Sequence, residues 1–163
     1  MFRLIAALLL ATPVLAVPAA LVTDPPMNTA YPADLMPLLI ASNGANMNGR
    51  IYLAEGKGPH PTMLLLHGFP GNEQNGDVAQ AARRAGWNVI LFHYRGAWGS
   101  QGAFSIHNAI DDTQVVFDWA RDPANAAKYR IDPKRIVIAG HSMGGFMTVQ
   151  TAAHNPGLAG VIL

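Results

Sequence analysis

The segment RIVIAGHSMGG, from Arg135 to Gly145, gives the strongest indication of the fold. Its first five residues, RIVIA, are apolar after Arg135, which is typical of a strand buried on both faces, and the segment FMTVQTAAH that follows is typical of a helix. Between the two lies the pattern Gly-x-Ser-x-Gly, centred on Ser142. The sequence therefore predicts a strand, a very tight turn and a helix, with a serine at the apex of the turn.

The serine of this turn is the candidate nucleophile. Small residues at Gly140 and Gly144 would let the strand and the helix approach closely, so that Ser142 projects at the carboxyl edge of the sheet. The turn would also direct the amide of Met143 at a negatively charged oxygen forming beside the serine. His141 is expected to pack beside the turn. These residues together predict a nucleophile elbow.

Two kinds of phosphate-binding turn compete with this interpretation, and residue type excludes both. A phosphate loop of the form G-x-x-x-x-G-K-[ST] would match Gly140 and Gly145, but Phe146 stands where lysine is required. A dinucleotide-binding turn needs glycine at position 142 and an acidic residue about 20 residues later. No Asp or Glu occurs after Asp132.

A second loop is expected at the same edge of the sheet. The apolar run TMLLL, residues 62–66, leads directly into HGFPG, residues 67–71. Open α/β sheets bind their ligands at the carboxyl ends of their strands, and the backbone amide of Phe69 is placed to bind an oxyanion there. The alternative for this segment is a plain glycine turn.

The remaining pattern predicts an α/β fold with a doubly wound, mostly parallel sheet. Continuous apolar runs predict parallel strands at residues 62–66, 88–92 and 135–139, and Asn-Gly turns predict an antiparallel pair at 38–41 and 50–54. Helices are predicted at residues 77–85 and 106–120. The second helix carries Asp111, Asp112 and Asp118, which are expected to face solvent.

These motifs resemble the α/β-hydrolase superfamily. The resemblance covers about residues 38–163 and rests on GHSMGG, on HGFPG and on Tyr94-Arg95-Gly96 followed by Gly99-Ser100. The segments HGFPGNE and FHYRGAWGSQG are most similar to those of the bacterial prolyl-oligopeptidase-like and dienelactone-hydrolase-like members of this superfamily. Arg95 and Gly96 match a loop motif whose usual role is structural.

The resemblance implies a serine hydrolase. Ser142 would be the nucleophile of an acyl-enzyme mechanism, and the amides of Phe69 and Met143 would form the oxyanion hole. The substrate would be a small molecule or a peptide with an ester, thioester or amide bond. No metal and no organic cofactor is expected. Glu73 and Asn75 could edge the substrate cleft, although a solvated loop is the simpler interpretation.

The sequence departs from the family in one respect. Members of the family place the acid and then the histidine of the triad after the serine, whereas residues 143–163 contain no acid and a single histidine, His154. That histidine would lie about 18 Å from Ser142 along the same helix, too far for proton transfer. The chain is therefore expected to be the N-terminal part of a longer hydrolase and to be inactive by itself. The alternative is a non-catalytic binding domain with the same fold.

Composition excludes several other classes of protein. The chain has 163 residues, of which 50% are hydrophobic and 13% charged, unlike a disordered tail or a coiled coil. A formal net charge of +1 does not suit a nucleic-acid binder. The absence of cysteine excludes disulfides, zinc–thiolate sites and a cysteine nucleophile.

The amino terminus predicts export. Residues 1–16, MFRLIAALLLATPVLA, combine one arginine, an apolar run and small residues before a cleavage point, which is typical of a signal peptide. The alternative is an uncleaved anchor. Residues 17–37 are predicted to be a proline-rich linker, and residues 38–163 the hydrolase domain. A bacterial periplasmic or extracellular protein is expected, with no membrane span after cleavage of the signal.

Overall fold

The computed structural model describes residues 17–163. The predicted signal peptide, residues 1–16, lies outside the described residues. Within the described part of the chain, no helix has the length and apolar character needed to cross a membrane.

One mixed sheet of six strands forms the centre of the fold. Its strands are β1 (Asp34–Ser42), β2 (Ala45–Leu53), β3 (His60–Leu66), β4 (Asn88–Phe92), β5 (Ile131–Gly140) and β6 (Gly160–Ile162). The spatial order is β1-β2-β4-β3-β5-β6. The hairpin β1–β2 joins the sheet antiparallel to β4, whereas β4, β3, β5 and β6 run parallel. The predicted mostly parallel sheet is confirmed.

Helices cover both faces of this sheet, which confirms the doubly wound architecture. They are α1 (Ala19–Val22), α2 (Gly76–Arg84), α3 (Ile106–Arg121), α4 (Pro123–Tyr129) and α5 (Met143–His154). Helix α2 packs its buried Ala79 against one face, and α3, α4 and α5 pack against the other. All five residues of β4 are buried, as the apolar run from Val89 to Phe92 predicts for a strand covered on both sides.

Several strand boundaries and one short helix differ from the predictions. Strand β1 begins at Asp34, inside the predicted linker, because Asp34 pairs with Leu53 at the far end of β2. Strand β5 begins at Ile131, because this residue pairs with His60 beyond a register shift. The short helix α4 was not predicted. Its signal was the pair Asp122-Pro123, since the Asp122 side chain accepts hydrogen bonds from the first backbone amides of the helix.

The prediction that all three aspartates of α3 face solvent is wrong for Asp112. Its side chain is completely buried and accepts hydrogen bonds from the Ser42 hydroxyl at 2.7 Å and from the Arg95 backbone amide at 2.8 Å. The Arg95 guanidinium also pairs with this carboxylate. Asp112 follows Ala109 by three residues and therefore lies on the buried face of the helix. A carboxylate is tolerated there because a buried cation compensates for it.

We expect Asp112→Asn to lower the free energy of unfolding by about 2 kcal/mol, because one of the two carboxylate oxygens becomes a donor that faces other donors. The exposed Asp118 on the same helix provides a matched control, and Asp118→Asn should change stability by less than about 0.5 kcal/mol. Urea unfolding followed by circular dichroism measures both. Equal losses in the two variants would contradict the buried ion pair.

Candidate functional site

The turn between β5 and α5 has the conformation of a nucleophile elbow. Strand β5 ends at Gly140, helix α5 begins at Met143, and Ser142 between them is exposed. Ser142 has φ 58° and ψ −121°, a region that residues with a side chain adopt at a cost of about 1–3 kcal/mol. The strained turn holds the serine side chain clear of both the strand and the helix.

Two glycines make this turn sterically possible. A Cβ atom at Gly144 would lie 2.3 Å from the backbone oxygen of Leu66, and one at Gly140 would lie 2.1 Å from the backbone oxygen of Gly144. Both distances are far below van der Waals contact. Helix α5 can therefore pack directly against the ends of β5 and β3 only because these positions lack side chains.

The loop after β3 meets the serine. A Cβ atom at Gly68 would lie 3.0 Å from the Ser142 Cβ and 3.4 Å from its Oγ, so the backbone of this loop is in contact with the serine side chain. Within residues 17–163, the backbone amides of Phe69 and Met143 make no hydrogen bond. The structure thus brings the serine and the two predicted amide donors to one edge of the sheet.

A cleft of about 190 Å³ opens beside the serine. Its lining consists of loop residues after β3 and residues of the elbow: Gly68, Phe69, Pro70, Gly71, Asn72, Glu73, His141 and Ser142. His141 is exposed and lines this cleft beside the turn. Glu73 also lines the cleft. Asn75 is not among the lining residues and directly precedes the first residue of α2. The exposed Phe69 ring stacks on Phe104 at a centroid distance of 4.9 Å.

No histidine of the described chain is hydrogen-bonded to Ser142. His154 is the last residue of α5, and its Nδ1 lies 2.9 Å from the Gln150 carbonyl oxygen. His60 contacts the Gly56 carbonyl oxygen, and His107 lies near Asp111. The structure therefore does not bring a general base to the serine from residues 17–163.

Sequence reasoning missed a pair of buried histidines behind the loop. His67 and His93 are 2% and 9% exposed, and the His93 Nδ1 lies 3.3 Å from the His67 Nε2. The His67 Nδ1 lies 2.7 Å from the Gly68 carbonyl oxygen. A carbonyl oxygen only accepts hydrogen bonds, so the His67 Nδ1 carries the proton and its Nε2 accepts from His93. The only signal in the sequence was that each histidine directly follows an apolar strand.

Burial keeps both histidines neutral. It lowers the pKa of His67, and it lowers the pKa of His93 to about 4, with the positive charges of protonated His67 and of Arg50 acting in the same direction. A histidine with a depressed pKa binds fewer protons in the folded state than in the unfolded chain. The stability that this contributes is complete above about pH 6.5 and is lost as the pH falls towards 4.

We therefore expect the free energy of unfolding to fall by about 1 kcal/mol or more between pH 6.5 and pH 4.5, and to fall less in His93→Asn. Hydrogen bonds from arginine side chains lower the pKa of Asp24 and Asp132 below the usual value of 3.8. Protonation of these two carboxylates therefore affects the free energy of unfolding only at lower pH. Urea unfolding at a series of pH values measures the difference. An identical pH dependence of the two proteins would show that His93 is not buried in its neutral form.

Comparison with known protein families identifies the fold of this site. A family model described as "alpha/beta hydrolase fold" matches residues 61–163, which include the loop after β3 and the elbow. Among solved structures, the thermostable carboxylesterase EstE1 from a metagenomic library aligns with a TM-score of 0.63 and 22% identity. The alignment covers 85% of this chain and 45% of that one.

Curated proteins also match part of the chain. The lysophosphatidylserine lipase ABHD12 of Danio rerio is 34% identical over 89 residues, covering 52% of this chain and 21% of the lipase. The quorum-quenching protein AidA of Acinetobacter baumannii is 31% identical over 124 residues, and the alignment covers 74% of this chain and 40% of AidA. The chain spans about half or less of the length of the curated relatives it matches.

Proposed function

The chain belongs to the alpha/beta hydrolase fold family, and from this membership we propose that the full-length protein is a serine hydrolase. It cleaves an ester, thioester or amide bond through an acyl-enzyme on Ser142. The observation that carries the proposal is the strained Ser142, with φ 58°, in contact with Gly68. At the same edge of the sheet, the backbone amides of Phe69 and Met143 make no hydrogen bond within residues 17–163. Strain is retained where the surrounding structure enforces it, and such positions are concentrated at active sites.

In the proposed reaction, the Ser142 Oγ attacks the substrate carbonyl carbon while a general base takes the hydroxyl proton. The amides of Phe69 and Met143 bind the oxygen that becomes negatively charged. Collapse of the tetrahedral intermediate expels the alcohol, thiol or amine, which receives the proton. Water then attacks the acyl carbon and releases the acid and the free serine. The base and its acid partner are assigned to the part of the full-length protein that corresponds to the unmatched half of the relatives.

The names of the relatives favour an ester as the first substrate to test. One is called a lysophosphatidylserine lipase and a structural neighbour a carboxylesterase. The cleft beside Ser142 is small, about 190 Å³. A small activated ester such as p-nitrophenyl acetate is therefore a suitable first probe.

The experiment treats the full-length protein with a fluorophosphonate probe and locates the adduct by peptide mass spectrometry. We expect the adduct on Ser142 and its loss in Ser142→Ala. Ser105→Ala provides a control, since Ser105 lies at the start of α3 and contributes its hydroxyl only to capping that helix. Labelling that persists in Ser142→Ala would overturn the assignment.

A second candidate is a non-catalytic binding domain. The observation that favours it is the lack of a hydrogen bond between Ser142 and any histidine in residues 17–163. A full-length protein that neither reacts with the probe nor hydrolyses p-nitrophenyl acetate would support this second candidate.

We also propose that the protein is exported and that residues 1–16 are removed. Intact-mass measurement of the exported protein should give a chain beginning at Val17. A chain that retains Met1 would contradict cleavage.

A further inference from the structure

The two buried histidines, His67 and His93, are connected by hydrogen bonds to the peptide group that would bind the oxyanion. His93 follows the last residue of β4 and His67 follows the last residue of β3. The chain of hydrogen bonds runs from the His93 Nδ1–H to the His67 Nε2, and from the His67 Nδ1–H to the Gly68 carbonyl oxygen. Because β3 and β4 are adjacent parallel strands, their ends present both rings at the same edge.

The last acceptor in this chain belongs to the same peptide group as the Phe69 N–H. In a trans peptide the C=O and the following N–H point in opposite directions. A carbonyl oxygen of Gly68 that is held by His67 therefore turns the Phe69 N–H away from the buried histidines. A hydrogen bond accepted by the carbonyl also polarises the peptide group and makes its N–H a stronger donor.

We propose that His93 is a positioning residue for the oxyanion hole: acting through His67 and the Gly68–Phe69 peptide group, it orients the Phe69 amide and strengthens it as a donor. This inference rests on the proposed serine hydrolase function. His93 touches neither the substrate nor the reacting atoms. Its contribution is a hydrogen bond that fixes the ring plane and the tautomer of His67.

The surroundings of the pair hold it rigidly enough for this role. The backbone of His93 is fixed on both sides, since its N–H donates to the Asn48 carbonyl at 2.8 Å and its carbonyl accepts from the Ser100 hydroxyl at 2.7 Å. The Tyr94 ring packs edge-on against His67 with a centroid distance of 4.8 Å. The His67 ring therefore has a single orientation, in which its Nδ1 meets Gly68.

The loop that carries Phe69 closes directly over this pair. A Cβ atom at Gly71 would lie 2.8 Å from the His67 Nδ1 and 2.6 Å from the Trp98 Nε1. The same Trp98 nitrogen donates to the Pro70 carbonyl oxygen at 2.6 Å. The loop is thus anchored immediately before and after the Phe69–Pro70 peptide, and a shift of the His67 ring would be transmitted to the Phe69 amide.

Two substitutions of His93 separate the hydrogen bond from simple packing. The amide nitrogen of an asparagine is the same number of bonds from the backbone as the histidine Nδ1, so His93→Asn can keep the donor to His67. His93→Leu fills a similar volume without a donor. In the full-length protein we expect kcat for p-nitrophenyl acetate to fall about tenfold in His93→Leu, part of the 10²–10³ that a lost oxyanion donor costs. KM should stay within about twofold, and His93→Asn should retain kcat within about threefold.

A spectroscopic measurement tests the inference independently of turnover. With ¹⁵N-labelled histidine, the full-length protein at pH 7 should show His67 and His93 as neutral Nδ1–H tautomers. The Phe69 amide proton should shift upfield in His93→Leu and remain close to the wild-type position in His93→Asn. An Nε2–H tautomer of His67, or equal shifts in both variants, would overturn the inference.

The kinetic and spectroscopic results distinguish the two proposals. A wild-type protein without Ser142-dependent hydrolysis would contradict the proposed function, whereas the tautomers of His67 and His93 could still be observed. An active wild type in which His93→Leu and His93→Asn lose kcat equally, or lose none, would overturn the positioning role alone.

Discussion

Replacement of Ser142 by alanine in the full-length protein is expected to lower kcat/KM for ester hydrolysis by about 10⁶-fold, the size of the loss when a serine protease is deprived of its nucleophile. The residual rate would come from the proposed oxyanion amides of Phe69 and Met143 and from substrate binding, which the substitution leaves in place. Steady-state kinetics with p-nitrophenyl acetate measure the loss. A loss of less than tenfold would show that the reaction does not use this serine.

Replacement of the same serine by glycine separates its chemistry from its backbone strain. Ser142→Gly should be as inactive as Ser142→Ala, yet its free energy of unfolding should rise by about 1 kcal/mol. The reason is that φ 58° and ψ −121° favour a residue without a Cβ atom. Thermal and urea unfolding compare the two variants. A glycine variant less stable than the alanine variant would contradict the strained conformation.

Substitution of Gly144 by alanine is the second large effect expected, with a loss of about 3 kcal/mol or more in the free energy of unfolding. The new methyl group would lie 2.3 Å from the Leu66 oxygen, 2.7 Å from its carbon and 2.9 Å from the His67 oxygen. All three atoms belong to the backbone, so no side-chain rotation can relieve the collision. Helix α5 would have to move away from β3 and would carry Ser142 away from Gly68.

The adjacent glycine of the same helix provides the matched control. A Cβ atom at Gly145 would make only van der Waals contacts, the nearest at 3.4 Å from the Gly140 oxygen. Gly145→Ala should therefore leave stability unchanged or raise it by up to about 1 kcal/mol through helix propensity. The midpoint of urea unfolding distinguishes the two variants. Similar stabilities for both would show that α5 does not approach β3 as closely as described.

The strands and helices were predictable because patterns within each short segment specify them. Residues 89–92 are apolar without interruption, which supported the prediction of a parallel strand at 88–92 covered on both faces, and β4 has these boundaries. The stripe from Ile106 to Ala120 likewise predicted α3, whose last residue lies one position later. The predicted boundaries were wrong where pairing with a strand elsewhere in the sequence determines them. Asp34, for example, pairs with Leu53, and this pairing extends β1 into the predicted linker.

The elbow was predictable for the same reason. The pattern from Gly140 to Gly144 contains both the serine and the small residues that its turn requires, so one short segment specifies the local geometry. Asp112 was not predictable in this way. Its hydrogen-bond partner Ser42 lies 70 residues away in the sequence, and only the packing of α3 against the end of β1 brings the two together.

Residue type and spacing act locally on the backbone, so they were enough to predict the fold class, the position of Ser142 at a strand-to-helix turn and the order of the loops that meet there. The buried pair of Asp112 and Arg95, and the contact of His93 with His67, 26 residues away, became visible only in the folded chain. Burial and hydrogen bonding between distant segments depend on which strands lie side by side. That arrangement follows from packing the whole sheet, and no single segment of the chain encodes it.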